Sequence, residues 1–421
     1  MGRNLTAFLL GLYFFVYVTP QHIPNVYYVY DRVTIQIFLF SILNTVVFSL
    51  LVKNSKLNSL ITLFKSNYHL ISFALVILIA FISLLVAENK TEGVLVISHF
   101  LTLFISFILI VILSQHSKLN FLKLFLYFSV IGLILESTRT NWLIFDNVIN
   151  NGKILDRALD YRGFTGNINI SSFSLTIKLP VLIYLVFTVQ NKLSKAFFLI
   201  VLSSSLLAIL LLFSRAAIIA LIIVFISLML LVVINRSKLY VTNFLLVLLA
   251  SSFSFFSYDL INEKNTSDLI VDRFSTVTNP GADESVNERL NFYKIAINDI
   301  TTYPVLGVGI GNWKLTSIQR ANKFLAGYRV PFRVHNDFLE IAAEIGIIGG
   351  LLFAYFIFFP FISSLIKALR SNKFEISFLI FLIVGVYIID SLLNFPMHRP
   401  VIISYLLFTF ALFYNIKSKN L

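Results

Sequence analysis

The chain contains no cysteine and only two tryptophans, and charged residues make up just 13% of its 421 positions. Without cysteine, no disulfide staples its loops, and no thiolate can act as nucleophile or metal ligand. A soluble domain carries roughly 25% charged residues, so the scarcity of charge argues against one. The six histidines show no H-E-x-x-H or similar spacing to acidic residues, so neither a dedicated metal nor another cofactor is expected. No repeat of about 20–50 residues is present. What is abundant is apolar: 58% hydrophobic residues, with 44 Phe and 18 Tyr. The net charge of +13 would suit nucleic acid or anionic lipid. In so apolar a chain it reads as membrane orientation, with lipid and not nucleic acid as the partner.

A spanning helix needs about 20 mostly apolar residues. Candidate spans lie near 5–20, 33–52, 69–87, 94–114, 121–135, 171–190, 196–213, 216–235, 240–256, 345–366, 376–394 and 400–414. The fold class is therefore an all-α polytopic membrane protein with about 12 spans. The first run, Leu5 to Val18, ends in Thr-Pro-Gln and lacks a small-residue cleavage site, so it is expected to be a retained helix.

Lys and Arg in short loops set orientation. With the N-terminus inside, the inner segments hold fifteen of them and the short outer segments four: Arg32, Lys90, Arg215 and Arg399. Both termini are then cytoplasmic. Two longer segments, 136–170 and 257–336, fall outside, the second between spans 9 and 10. The chain thus divides into residues 1–135 with five spans, the outer loop 136–170, spans 6–9 over 171–256, the large outer loop 257–336, and spans 10–12 over 337–421. Long loops translocate regardless of charge, so their basic residues need another explanation.

Polar residues with possible chemistry gather on the outer face. A transporter needs a site near the bilayer midplane, so this pattern favours a reaction at the outer surface. Within 257–336, Ser285 and Glu288 fit a capping box. The helix that follows should carry Val286, Leu290, Tyr293, Ile297 and Ile300 on one stripe and stop before Pro304. Arg289 flanks that stripe. Gly307, Gly309 and Gly311 lie in a segment with neither a preceding strand nor a following Lys-Ser/Thr helix. They suit a turn that brings backbone close to a neighbour better than a nucleotide loop. Arg320, Lys323, Arg329 and Arg333 then lead to His335-Asn336-Asp337, where a helix should start with Asp337, Glu340 and Glu344 on one face. Asn336 and Asp337 fit a plain helix cap. The Arg cluster and His335 beside a helix start also fit phosphate binding and a neutral imidazole base.

Arg215 sits in a very short outer turn, where Arg either snorkels or has a partner. Asp390 and Asn394 share a helix face, and Asp390 should need a cation such as Arg215 or Arg399. His398 is either interfacial or functional. The segment 136–170 adds Arg139, Arg157 and Arg162. Lys178, beside Pro180 in the sixth span, is a candidate functional residue, or it binds carbonyls freed by the proline. His22, His69, His99 and His116 read as incidental.

Several outer Arg, one His by a helix start and an apolar surround suit a lipid-linked pyrophosphate. Arg stabilises the leaving phosphates without a metal, and His deprotonates the acceptor hydroxyl. Attack opposite the leaving group inverts the anomeric centre.

The ordered set Ser214-Arg215-Ala216, Arg289 in N-E-R-L-N-F-Y-K, P-V-L-G-V-G-I-G-N-W, H-N-D-F-L-E-I-A-A-E-I-G-I-I-G-G and D-S-L-L-N-F-P resembles the O-antigen ligase and polymerase-related superfamily. R-G-F-T-G-N-I-N at 162–169 is similar to that family's preceding loop. The resemblance covers about residues 160–400. It implies a GT-C-like, metal-independent membrane glycosyltransferase of the bacterial inner membrane, with its active site facing the periplasm. The implied donor is an undecaprenyl-pyrophosphate-linked glycan, and the implied acceptor is lipid A–core or another glycan. By position, His335 would be the base, and Arg215 and Arg289 the pyrophosphate contacts. Arg333, Arg329, Arg162, Asn336, Lys178 and Asp390 are further substrate-binding candidates. Ligase is the leading reading and polymerase the alternative. A polysaccharide flippase ranks below both, and a non-catalytic scaffold leaves Arg215 and His335 unexplained.

Overall fold

The computed structural model describes residues 3–18, 29–54, 58–65, 67–117, 119–151, 165, 167–261, 284–321, 332–371 and 373–419. Among these, every regular element is helical: α1 Arg3–Val18, α2 Val29–Lys53, α3 Asn58–Lys65, α4 Tyr68–Ser83, α5 Lys90–His116, α6 Phe121–Asn151, α7 Ile168–Thr188, α8 Lys192–Leu212, α9 Arg215–Asn235, α10 Lys238–Ile261, α11 Glu284–Thr302, α12 Trp313–Ala321, α13 Asp337–Ser371, α14 Ile376–Leu393 and α15 Pro400–Lys419. A 3₁₀ turn, Pro396–His398, separates the last two. Nine of the described helices are long and apolar enough to cross a membrane, and three shorter apolar helices (in α1, α4 and α15) accompany them. All twelve anticipated spans are therefore helical, and the chain is an all-α multi-pass membrane protein.

Asparagine starts many of these helices. Asn89, Asn167 and Asn191 each accept a bond from a backbone N–H two or three residues on, filling one of the orphan donors of a first turn. α1 is part of the bundle, with Leu10, Tyr13 and Phe14 buried. α7 and α15 are the enclosed centre: Ile170 to Ile183 and Pro400 to Tyr414 are buried without interruption.

α6 corrects one boundary. It does not stop near residue 135 but continues to Asn151, so 136–151 is helix. Within it, the Glu136 carboxylate meets Lys178 Nζ at 2.7 and 2.8 Å. Ser174 bonds both groups. Lys178 is 1% exposed and lies ten residues into α7, roughly 15 Å down its axis. Lys178 is thus held in an internal ion pair with Glu136.

His69 is likewise structural. Pro360 has no N–H to give the Phe356 carbonyl one turn earlier. His69 Nε2 reaches that carbonyl at 2.7 Å, and its Nδ1 sits 2.8 Å from the Tyr414 hydroxyl. Nε2 must therefore carry the proton, and Nδ1 accepts from Tyr414. Replacing His69 by leucine should cost about 1–3 kcal/mol for the stranded carbonyl. In a Pro360→Ala background, where a restored backbone N–H serves that carbonyl, the cost should shrink. Equal losses of thermal stability in the two backgrounds would contradict this account.

α13 is broken at Ile345 (φ −127°, ψ 16°) and Gly346 (φ 82°, ψ 172°). The break frees backbone groups, and the glycine loop 304–312 fills them. Val308 N–H bonds the Ala343 carbonyl (2.9 Å), Gly309 N–H bonds that of Glu344 (3.0 Å), and Ile347 N–H bonds that of Pro304 (2.9 Å). Gly307, at φ 64°, lies directly on Ala343 and Glu344 backbone, where a side chain would not fit. The expected close-approach turn is thus real, and its neighbour is the helix break. Ile310 N–H bonds Ser83 Oγ, and Asn312 bonds the Asn89 backbone through both side-chain ends. These contacts anchor the loop to the α4–α5 turn.

α11 begins at Glu284, which puts the expected cap residue Ser285 inside the helix, and ends at Thr302 ahead of Pro304 as expected, but its buried stripe is rotated. Phe292, Ile295 and Ala296 face a small cluster with Val308, Trp313, Val334 and Ala343. Leu290 and Ile297 are 44% and 50% exposed. α12 was not anticipated.

Candidate active site

Residues 332–336 arrive without regular structure and turn sharply at His335, which holds the left-handed backbone conformation at φ 62°. Asn336 then caps α13, its Oδ1 accepting from Leu339 N–H at 3.1 Å while its Nδ2 donates to the Leu392 carbonyl at 3.3 Å. Tyr293 Oη, on α11, lies 3.1 Å from both the His335 and Leu392 carbonyls; one proton serves one of them at a time. The imidazole stands between two rings: nearly parallel to Phe292 at 6.2 Å, and edge-on to Phe395 at 5.0 Å.

A pocket of about 60 Å³ opens beside it, lined by His335, Asp390, Asn394, Arg399 and the α7 start at Asn167 and Asn169. Burial pushes the His335 pKa down to about 4, helped by the charges of Arg289 and Arg399 and opposed by Glu340. The ring is therefore neutral near pH 7. Its Nδ1 is buried and makes no hydrogen bond among the described residues. Asp390 Oδ1 accepts from Asn394 Nδ2 at 2.8 Å, and the cations acting on Asp390 are Arg399 and Arg289. Of its two anticipated partners, then, Arg399 is the one beside it. Arg399 stacks 4.5 Å over the Phe395 ring. Burial and Arg333 lower its pKa to about 10, which leaves it cationic at neutral pH.

Below the pocket, Glu340 collects three donors. Arg333 Nη1 is 2.9 Å and His398 Nε2 2.7 Å from its Oε1, and Val334 N–H is 2.9 Å from its Oε2. Arg333 Nη1 also lies 3.0 Å from His398 Nε2. Both groups point protons at the carboxylate, so that approach is proximity, not a bond. Among the described residues, no three His, Cys, Asp or Glu converge as a metal site requires. The pocket places a neutral imidazole beside the Arg399 guanidinium and the Asp390 side chain, a setting for a base next to a bound anion.

Residues 179–354 match the family model described as O-Antigen ligase. That stretch of the chain is thus similar to the O-antigen ligase family. No curated protein matches the chain. The matched stretch runs from inside α7 into α13, so it contains Arg215, Arg289, the glycine loop, His335 and Glu340. It stops short of Asp390, His398 and Arg399, which complete the pocket from the C-terminal helices.

The anticipated residues separate accordingly. His335, Arg289 and Asp390 come together. Arg333 and Asn336 adjoin them, but both side chains are engaged in holding the turn; Arg333 keeps 26% of its side chain exposed. Arg215 opens α9 on the same end of the bundle, since α7 and α8 are antiparallel neighbours and α7 starts at the pocket. The charges acting most on His335 are Arg289, Glu340 and Arg399, and Arg215 is not one of them. Arg162 and Arg329 lie outside the described residues. Sequence reasoning missed Glu340 and His398 as a pair, and it treated Arg399 only as a counter-ion. The one available signal was His-Arg-Pro directly after an apolar span.

Proposed function

We propose that the chain transfers a glycan from undecaprenyl pyrophosphate to lipid A–core, or to a similar acceptor, at the periplasmic face of the bacterial inner membrane. The observation that carries this is a neutral His335 sharing one pocket with Arg399, Asp390 and the field of Arg289. The neutral imidazole takes the proton of the acceptor hydroxyl. The freed oxygen attacks the anomeric carbon as the bond from that carbon to pyrophosphate oxygen breaks. Undecaprenyl pyrophosphate leaves with the bonding electron pair. Arg289 and Arg399 stabilise the charge that develops on it, and Arg215 holds a more distal part of the donor. In-line attack inverts the anomeric centre, and no step uses a metal. The excess of Lys and Arg on the opposite side supports the orientation.

The test is a deletion strain complemented with wild type, Arg215→Ala or His335→Ala at equal protein levels. Both variants should lose attached surface glycan, with polymer accumulating on the carrier. Unchanged glycan in both ends the reading. Core carrying a single repeat would assign the chain to polymerisation instead.

A further inference from the structure

The three donors that meet at Glu340 come from different stretches of chain. Val334 and Arg333 belong to the segment that presents His335, and His398 belongs to the turn that presents Arg399. Each of those two pocket residues is the immediate neighbour of a residue that Glu340 holds. The carboxylate itself is 1% exposed and sits one turn into α13. It therefore ties the two walls of the pocket to one point on a helix.

We propose that Glu340 is the positioning residue of this site, fixing the separation of His335 and Arg399 through Val334, Arg333 and His398; this rests on the glycosyl-transfer reading above. Only an acceptor with two oxygens can serve all three donors. A glutamine of the same shape turns one oxygen into an NH₂ that confronts at least one of them. His398 acts here as a donor and not as a second base: burial, with Arg333, pushes its pKa down to about 4, so it is neutral with Nε2–H toward Glu340. Asp337 works from the same helix start, accepting from Met397 N–H at 3.0 Å, and so reinforces the hold on the 396–398 turn.

The experiment uses the full-length protein in lipid nanodiscs with undecaprenyl-pyrophosphate-linked glycan and lipid A–core. Misplacing reacting groups by about 1 Å costs on the order of 100-fold in rate. Glu340→Gln should therefore lose about 100-fold in kcat while KM for the donor stays within about threefold. A fold defect would lower the yield of active enzyme and leave the KM and pH profile of the remainder unchanged. Glu340→Gln should instead move the acidic limb of the rate profile to lower pH, because it removes a negative charge that favours the His335 imidazolium. His398→Gln places an amide N–H where Nε2–H stood and should keep activity within about fivefold, whereas His398→Leu should fall by about 50-fold or more. Full kcat in Glu340→Gln beside an inactive His335→Ala overturns the positioning role and leaves glycosyl transfer standing. His398→Gln as inactive as His398→Leu overturns it too, since a titrating His398 would then be required. An active His335→Ala ends both readings.

Discussion

Gly346→Ala is expected to destabilise the protein by roughly 2–6 kcal/mol, summing the strain of a glycine-only backbone conformation with overpacking. At φ 82° and ψ 172°, residue 346 occupies a region that residues with a Cβ almost never adopt. The added methyl would also point straight at the carbonyl of Val305, with the Pro304 carbonyl 2.8 Å away. Relief would require withdrawing the glycine loop, and with it the bonds that serve the break in α13. Thermal unfolding in detergent would show the loss as a lower midpoint and a reduced yield in membranes. Gly11 is the internal control. Nothing lies within 4 Å of its Cβ position, and alanine in a helix is favoured over glycine by about 1 kcal/mol. Equal midpoints for Gly346→Ala and wild type would show that the loop is not seated as described.

His335→Gln should reduce the transfer rate by about 10²- to 10⁴-fold, the usual contribution of a general base. The wild-type pH profile should be distinctive as well. Burial and the Arg289 guanidinium both disfavour the imidazolium and lower the pKa to about 4. The basic form therefore persists on acidification, and kcat/KM should stay flat from pH 8 through 6.5 and fall only as pH approaches about 4. Removing the Arg289 charge should raise the His335 pKa and move that limb upward. A wild-type midpoint near 6.5, the value for a free histidine, would refute the buried, cation-flanked setting.

The twelve apolar stretches were legible because each one is a local signal of length and hydropathy. The end of α6 was not. The apolar run ends near residue 135, and the Lys178 that pairs with Glu136 beyond it lies 42 residues away. The stripe on α11 was misread for a related reason. Leu290 and Ile297 satisfy helical spacing, but the helix buries Phe292, Ile295 and Ala296 against the glycine loop, and periodicity cannot say which of two apolar faces meets protein. His335 and Asp390 were singled out by residue type and position, and Arg289 by the family resemblance. Glu340 and His398 escaped because their roles exist only once residues 58 positions apart are brought together. His69 looked incidental because the carbonyl it serves is freed by a proline 291 residues further along.

The Lys178–Glu136 pair also constrains how the protein enters the bilayer. A lone cation near the centre of a span costs about 2.5–3.5 kcal/mol at the translocon, with a similar cost for an acidic residue. Here α7 carries the cation beside a proline, and α6 carries the anion. Neither is a good passenger alone, whereas a hairpin of the two arrives already neutral. Insertion is thus expected to proceed by retaining α6 at the lateral gate until α7 emerges. The polar centre of the mature bundle would then record the order in which its helices were released into lipid.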